Sequence, residues 1–225
     1  STIGYAQYKG FPVICNLSRL SVKRKDKEMR VLTPSERESL IGILMEDMDS
    51  FKFGVFLALY TGIRIGELCA LQWKDIDFAR ATLKVRKTIQ RIQNIDRQAV
   101  SKTKIVISEP KSKCSIREIP LSVSVMDIAQ NFISYPESYV LTGTSRYIEP
   151  RTMQNHFKLY VKQSGISDAN FHALRHTFAT RCVEVGFEIK SLSEILGHAS
   201  VNITLNRYVH SSFELKRFNM SKLIF

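Results

Sequence analysis

The 225-residue chain contains no apolar run near the roughly 18 residues that a membrane-spanning helix needs, and its first residues lack the apolar core of a secretory leader. Its four cysteines, Cys15, Cys69, Cys114 and Cys182, form no CxxC pair and no metal-ligand spacing, which argues against a zinc site. They read as reduced thiols of a cytosolic protein, since a chain this long can bury a core without disulfides. Glycine and proline, 10 and 6 residues, are not in excess, and no repeat or low-complexity tract interrupts the chain. With 44% hydrophobic and 24% charged residues, bulk disorder is excluded as well. What the chain lacks most is negative charge: 21 acidic residues face 33 lysines and arginines, a net charge of +12. That balance favours a polyanion; nucleic acid and an anionic membrane surface both qualify, and without a spanning run nucleic acid is the better reading.

What is present falls into blocks. Residues 1–30 are mixed, with six basic residues between Arg19 and Arg30, and read as a linker or as the tail of a mostly absent preceding domain. Thr33-Pro34-Ser35-Glu36 is a capping box with proline at the first helical position, so a helix follows to about Met48. Phe51 to Tyr60 is almost wholly apolar and ends at Thr61-Gly62, which predicts a buried helix stopped by glycine. A short helical turn spans Arg64 to Leu71. Between Ala81 and Leu121 the texture turns β-prone, in runs at residues 82–85, 105–107 and 117–121, which predicts one small antiparallel sheet. Ten basic residues against two acidic ones from Lys84 to Arg117 suggest that this sheet faces DNA; a solvated basic face is the plainer alternative. Helical segments return near residues 123–133, 150–163, 172–185, 189–196, 200–208 and 213–222, with Gly165, Gly186 and Gly197 between them. The fold class is therefore mainly α with a small antiparallel β-sheet.

Three strings carry chemistry: Thr61-Gly62-Ile63-Arg64-Ile65-Gly66-Glu67-Leu68, then His172-Ala173-Leu174-Arg175-His176, then Leu196-Gly197-His198 with Asn206-Arg207-Tyr208 beyond it. A fourth, from Pro110 to Leu121, contains Lys111 and Lys113. Together and in this order they resemble the tyrosine recombinases, the family of phage lambda integrase. The resemblance covers residues 31 to 209 as the catalytic domain. Residues 210–225 become a C-terminal tail, whose apolar side chains suit packing on its own domain or on a neighbouring protomer. Members of the family usually carry a DNA-clamping domain before the catalytic one, and the chain reads as a fragment of such a protein.

Attack of a tyrosine on a phosphodiester needs a phenolate-like nucleophile, a sink for charge on the non-bridging oxygens, and an acid for the departing 5′ oxygen. A free tyrosine is ionised to only about one part in a thousand at pH 7, a deficit of roughly 4 kcal/mol that cations and a base must offset. Arg64 and Arg175 can each fork onto phosphate oxygens, although a surface ion pair, for Arg64 with Glu67, is the plain alternative. The resemblance implies Tyr208 as nucleophile and Lys111 as the acid for the 5′ oxygen, with a backbone-phosphate contact as that lysine's alternative. It also implies that His172 accepts or relays the tyrosine proton and that His198 bonds a non-bridging oxygen. His172 and His176 share the i, i+4 spacing of a metal pair, but the HExxH glutamate is missing and His176 reads as a core or surface-bonded histidine.

The activity implied is site-specific recombination of double-stranded DNA through a covalent 3′-phosphotyrosine, without metal, ATP or any other cofactor. By the same resemblance it is carried out by a homo-tetramer on paired sites, with accessory DNA-bending or excision factors, in the bacterial cytoplasm at the nucleoid. Within the family the chain reads as an integrase of a mobile element such as a phage or conjugative transposon, with a chromosome-resolving recombinase as the alternative. An inactive DNA-binding relative and a type IB topoisomerase remain as readings from other classes.

Overall fold

The computed structural model describes residues 9–10, 29–94, 101–109, 113–209, 217 and 220–221. Lys111, residues 1–8 and 11–28 of the expected linker and most of the expected tail helix lie outside them. Helices α1 (Pro34–Met45), α2 (Ser50–Thr61) and α3 (Ile65–Ala70) come first, followed by strands β1 (Ile76–Asp77), β2 (Thr82–Val85), β3 (Thr88–Gln93), β4 (Thr103–Ser108) and β5 (Arg117–Pro120). Helices α4 (Val123–Ala129), α5 (Pro150–Gln163), α6 (Phe171–Glu184), α7 (Ile189–Leu196) and α8 (Val201–Tyr208) complete the described part. None of the described helices is long and apolar enough to cross a membrane.

Local chemistry explains most boundaries. The Thr33 hydroxyl accepts from the Glu36 amide while the Glu36 carboxylate accepts from the Thr33 amide, the reciprocal cap expected for α1. Arg30 also pairs with Glu36, and that bond holds the carboxyl down to about 2. Helix α1 stops three residues earlier than expected, because Asp47 takes a left-handed φ of 42° and Asp49 caps α2 by accepting from the Lys52 amide. Helix α2 buries residues all round its surface, Phe53 through Leu59 and Thr61, as a helix in the centre of the core must.

The β region is two sheets rather than one. Strands β1, β2 and β5 form an antiparallel sheet with Leu83 opposite both Ile76 and Ile119, and these three side chains face the core. Strands β3 and β4 form a separate hairpin from Thr88 opposite Ser108 to Gln93 opposite Thr103. Strand β3 was not foreseen because only Ile89 of its six residues is buried, so it carries little of the half-buried alternation that marks a strand. Several basic side chains of the region are held by carboxylates: Arg91 by Glu149, Lys84 by Glu118 and Arg86 by Asp75.

A small second core of Ala179, Cys182, Leu192, Leu196 and Tyr208 joins α6, α7 and α8 beside the main one. Burial pushes the Cys69 and Cys182 thiols up to about 12, so both stay protonated.

Candidate active site

Two glycine-ended helices aim their last carbonyls at one place. Gly62 ends α2 and Gly197 ends α7, each with φ 64°. The final carbonyls of a helix have no partner inside it and carry the negative end of its dipole, so they attract cations. Here the cations are arginines from three other parts of the chain. On α7, Ile195 O accepts from Arg117 Nε, Leu196 O from Arg175 Nη2 at 2.7 Å, and Gly197 O from Arg64 Nη2 at 3.1 Å. At the end of α2, Gly62 O accepts from Arg175 Nη1 at 2.7 Å. Glycine is required at both turns for a second reason. A Cβ on Gly62 would lie 2.6 Å from the Phe178 ring, and one on Gly197 would lie 3.0 Å from Arg117 Cδ and 3.1 Å from Cys114 O.

The buried carboxylate of Glu67 completes the frame. It pairs with Arg64 at 2.8 Å and with Arg117 at 2.8 Å, and it accepts from the Arg64 amide at 2.9 Å. Burial alone would raise its pKa, but the Arg117 bonds and the charges of Arg117 and Arg64 hold it below the usual carboxylate range. Arg64 therefore has both the ion pair that the plain reading foresaw and an outward face at the cavity. Arg175 is buried, and burial together with Arg64 and Arg117 brings it down to about 9, which still leaves it cationic at pH 7.

A cavity of about 320 Å³ is lined by Arg64, Ser115, His172, Arg175, Gly197, His198, Ala199, Ile203 and Arg207. Four of the six residues singled out in the sequence, Arg64, Arg175, His172 and His198, thus share one wall. His198 Nδ1 lies 2.8 Å from the Thr204 hydroxyl, which fixes the ring. Burial first, and then Arg175, Arg64, Arg207 and Arg117, push His198 down to about 3. Burial and the charges of Arg175, Arg207 and Arg64 lower His172 as well. Both imidazoles are neutral at pH 7. Ser115 belongs to the turn at Lys113–Ser115 that leads into β5, so the segment following Lys111 reaches the cavity rim.

Tyr208 stands at the end of α8, parallel to His198 with ring centroids 6.3 Å apart, but it does not line the cavity. Its hydroxyl lies 2.9 Å from His176 Nδ1, in the small core. Burial raises its pKa, and Arg175, Arg207 and Arg64 offset only part of that rise. The imidazole that meets the hydroxyl is thus His176 and not His172, with the Arg207 side chain also bonded to Tyr208; His172 stands edge to face with His176, centroids 4.5 Å apart. The i, i+4 spacing that suggested a metal pair instead lines up one imidazole in the cavity and one beneath it. Arg207 has no expected role, and Arg117 is expected only among the basic residues of the β region that face DNA. Arg207 could have been suspected from its place beside Tyr208, whereas nothing in the sequence ties Arg117 to Glu67, 50 residues earlier.

Residues 30–214 match the phage integrase family over most of the chain. The chain belongs to the phage integrase family. A tyrosine recombinase XerC-like protein of Caldanaerobacter subterraneus is 33% identical over 171 residues, covering 68% of this chain and 44% of that protein. The transposase of transposon Tn916 from Enterococcus faecalis is 27% identical over 219 residues, covering 85% and 52%. This integrase-family chain therefore spans about half the length of those relatives. Among solved structures, the Tn1549 transposon integrase in complex with transposon right end DNA superposes with a TM-score of 0.76 at 25% identity, covering 98% of this chain and 75% of that one. A lambda integrase tetramer bound to a Holliday junction shares the fold, with a TM-score of 0.59 at 18% identity over 94% and 58% of the two chains.

Proposed function

We propose that this domain breaks and rejoins DNA strands in site-specific recombination, as the integrase of a mobile element. The observation that carries the reading is the convergence of Arg64, Arg175, His172 and His198 on one cavity, with Tyr208 packed directly behind it. The cavity suits a phosphodiester: it is cationic and water-accessible, and its guanidiniums are held in place before any ligand arrives. In the reaction Tyr208 Oη bonds to phosphorus, the bond from phosphorus to the 5′ oxygen breaks, and Arg64 and Arg175 hold the charge on the non-bridging oxygens. His198 bonds one of those oxygens, His172 takes the phenolic proton, and Lys111 gives a proton to the 5′ oxygen. The 3′-phosphotyrosine conserves the energy of the broken bond, so rejoining needs neither ATP nor a metal.

The net charge of +12 and the likeness to integrases solved on DNA support double-stranded DNA as the partner. A tetramer on paired sites, aided by accessory DNA-bending or excision factors, is the assembly proposed, acting in the cytoplasm at the nucleoid. An apolar groove of about 390 Å³ between α1, α2 and α6, lined in part by Ile41, Leu59, Phe178, Val185 and Phe187, offers a seat for the chain's own tail or that of a neighbouring protomer. The test is covalent capture. Incubation with nicked duplexes of randomised sequence, followed by denaturing electrophoresis and sequencing of the attached strand, is expected to yield protein joined to DNA. The Tyr208→Phe variant is expected to yield none. Capture that persists in that variant overturns the assignment.

A further inference from the structure

We infer that His176 is a positioning residue that stows the nucleophile: its imidazole holds the Tyr208 hydroxyl below the cavity, and DNA engagement must break that bond. The inference rests on the strand-cleaving role proposed for Tyr208. Three observations carry it. The Tyr208 Oη to His176 Nδ1 separation is 2.9 Å, and both residues are buried. Tyr208 is packed in the small core with Ala179, Cys182, Leu192 and Leu196, and does not contribute to the cavity wall that holds Arg64, His172, Arg175 and His198. His176 lies one helical turn beyond His172 on α6, with the two rings edge to face.

Chemistry sets the direction of the bond. Burial, with His172, Arg207 and Arg175 close by, pushes His176 down to about 4, so Nδ1 can be an acceptor and the phenol donates to it. The hydroxyl that must attack phosphorus therefore donates to a group behind the cavity, while Arg207 of the cavity wall faces the same oxygen. Reaching a phosphate between Arg64 and Arg175 requires Tyr208 to leave His176 and move toward His172, which stands in the cavity wall. The bond therefore lowers the fraction of molecules ready to cleave, and it restrains cleavage until a bound phosphate competes for the hydroxyl.

The test uses the full chain and a nicked duplex that the wild-type protein captures. In His176→Phe the ring remains but the acceptor is gone, whereas in His176→Asn the amide oxygen occupies roughly the place of Nδ1. Single-turnover capture by His176→Phe should be faster than wild type by roughly two- to ten-fold, the effect of one net hydrogen bond, with unchanged DNA affinity. His176→Asn should stay near the wild-type rate. If both variants are slower than wild type, His176 is the proton acceptor and the stowing role is overturned; if both match wild type, the bond restrains nothing. Nitrogen-15 spectra of the histidines give an answer independent of activity, and they alone decide should His176→Phe not fold. The His176 Nδ1 resonance should shift on Tyr208→Phe in the DNA-free protein and should show the same loss of the bond when DNA is added to wild type. A resonance indifferent to either change sinks the proposal. Failure of the wild type to capture any duplex tells instead against the strand-cleaving role, while the DNA-free spectra still report on the bond.

Discussion

Arg175 donates to the carbonyl of Gly62, 113 residues earlier in the chain, at 2.7 Å. The glycine both ends α2 and presents the acceptor, so its backbone conformation and the orientation of the guanidinium are one fact. Gly62→Ala would force a side chain into φ 64° and press Cβ to 2.6 Å from the Phe178 ring. The expected loss is about 2 kcal/mol or more of unfolding free energy, from urea titration, together with slower DNA capture. Gly186→Ala is the control: it has a comparable φ of 85° but open space around Cβ, and should lose only about 1 kcal/mol with capture unchanged. Equal effects at the two glycines would refute the coupling.

Glu67 neutralises Arg117 in a buried pair, side chains 4% and 5% exposed, and partly neutralises Arg64. Glu67→Gln keeps the shape and removes the charge. Breaking one side of a buried pair costs on the order of 3 kcal/mol, so urea unfolding should show a loss of that size. A loss below about 1 kcal/mol would mean that water screens the pair.

The planar forks of Arg175 span Gly62 O and Leu196 O. A lysine ammonium cannot occupy both places and also meet a phosphate. Arg175→Lys should therefore reduce single-turnover capture by about 100- to 1,000-fold while melting stays within a few degrees of wild type. Capture within a few-fold of wild type would show that charge alone suffices.

Folding keeps His176 and His198 neutral, down to about 4 and about 3, while the unfolded chain titrates them near 6.5. Their folded values are depressed, so between pH 6.5 and 4 the unfolded chain binds more protons than the folded one. Stability is full above pH 6.5 and falls as the pH drops. Between pH 7 and pH 5 the unfolding free energy should decline by roughly 2 kcal/mol for each of the two groups. The depressed Glu67 and Glu36 carboxyls add their own loss only near and below their unfolded values. A flat profile from pH 7 to 5 would be false to this account.

Sequence carried the helices and the identity of the cavity wall, because caps and glycine stops are local and the strings around Arg64, Arg175 and His198 are short. What it hid was non-local. The Glu67 to Arg117 pair joins residues 50 apart, and no periodicity encodes it. The partner of Tyr208 was hidden for a different reason: His172 and His176 differ by one turn, and which imidazole meets the hydroxyl depends on the depth at which α8 packs against α6. Strand β3 escaped because only one of its two isoleucines, Ile89, is buried, while Ile92 is exposed among polar and charged neighbours. Lys111 lies outside the described residues, so its role stands on the resemblance and on the reach of Ser115 to the rim.

The carbonyls that close α7 fasten Arg117, Arg175 and Arg64 in consecutive order, Ile195, Leu196 and Gly197. One helix end is therefore a common anchorage for side chains drawn from strand β5, from α6 and from the α2–α3 corner. A small rotation or withdrawal of α7 would loosen all three guanidiniums in concert, so the positive cluster assembles or dissolves as a unit rather than one arginine at a time.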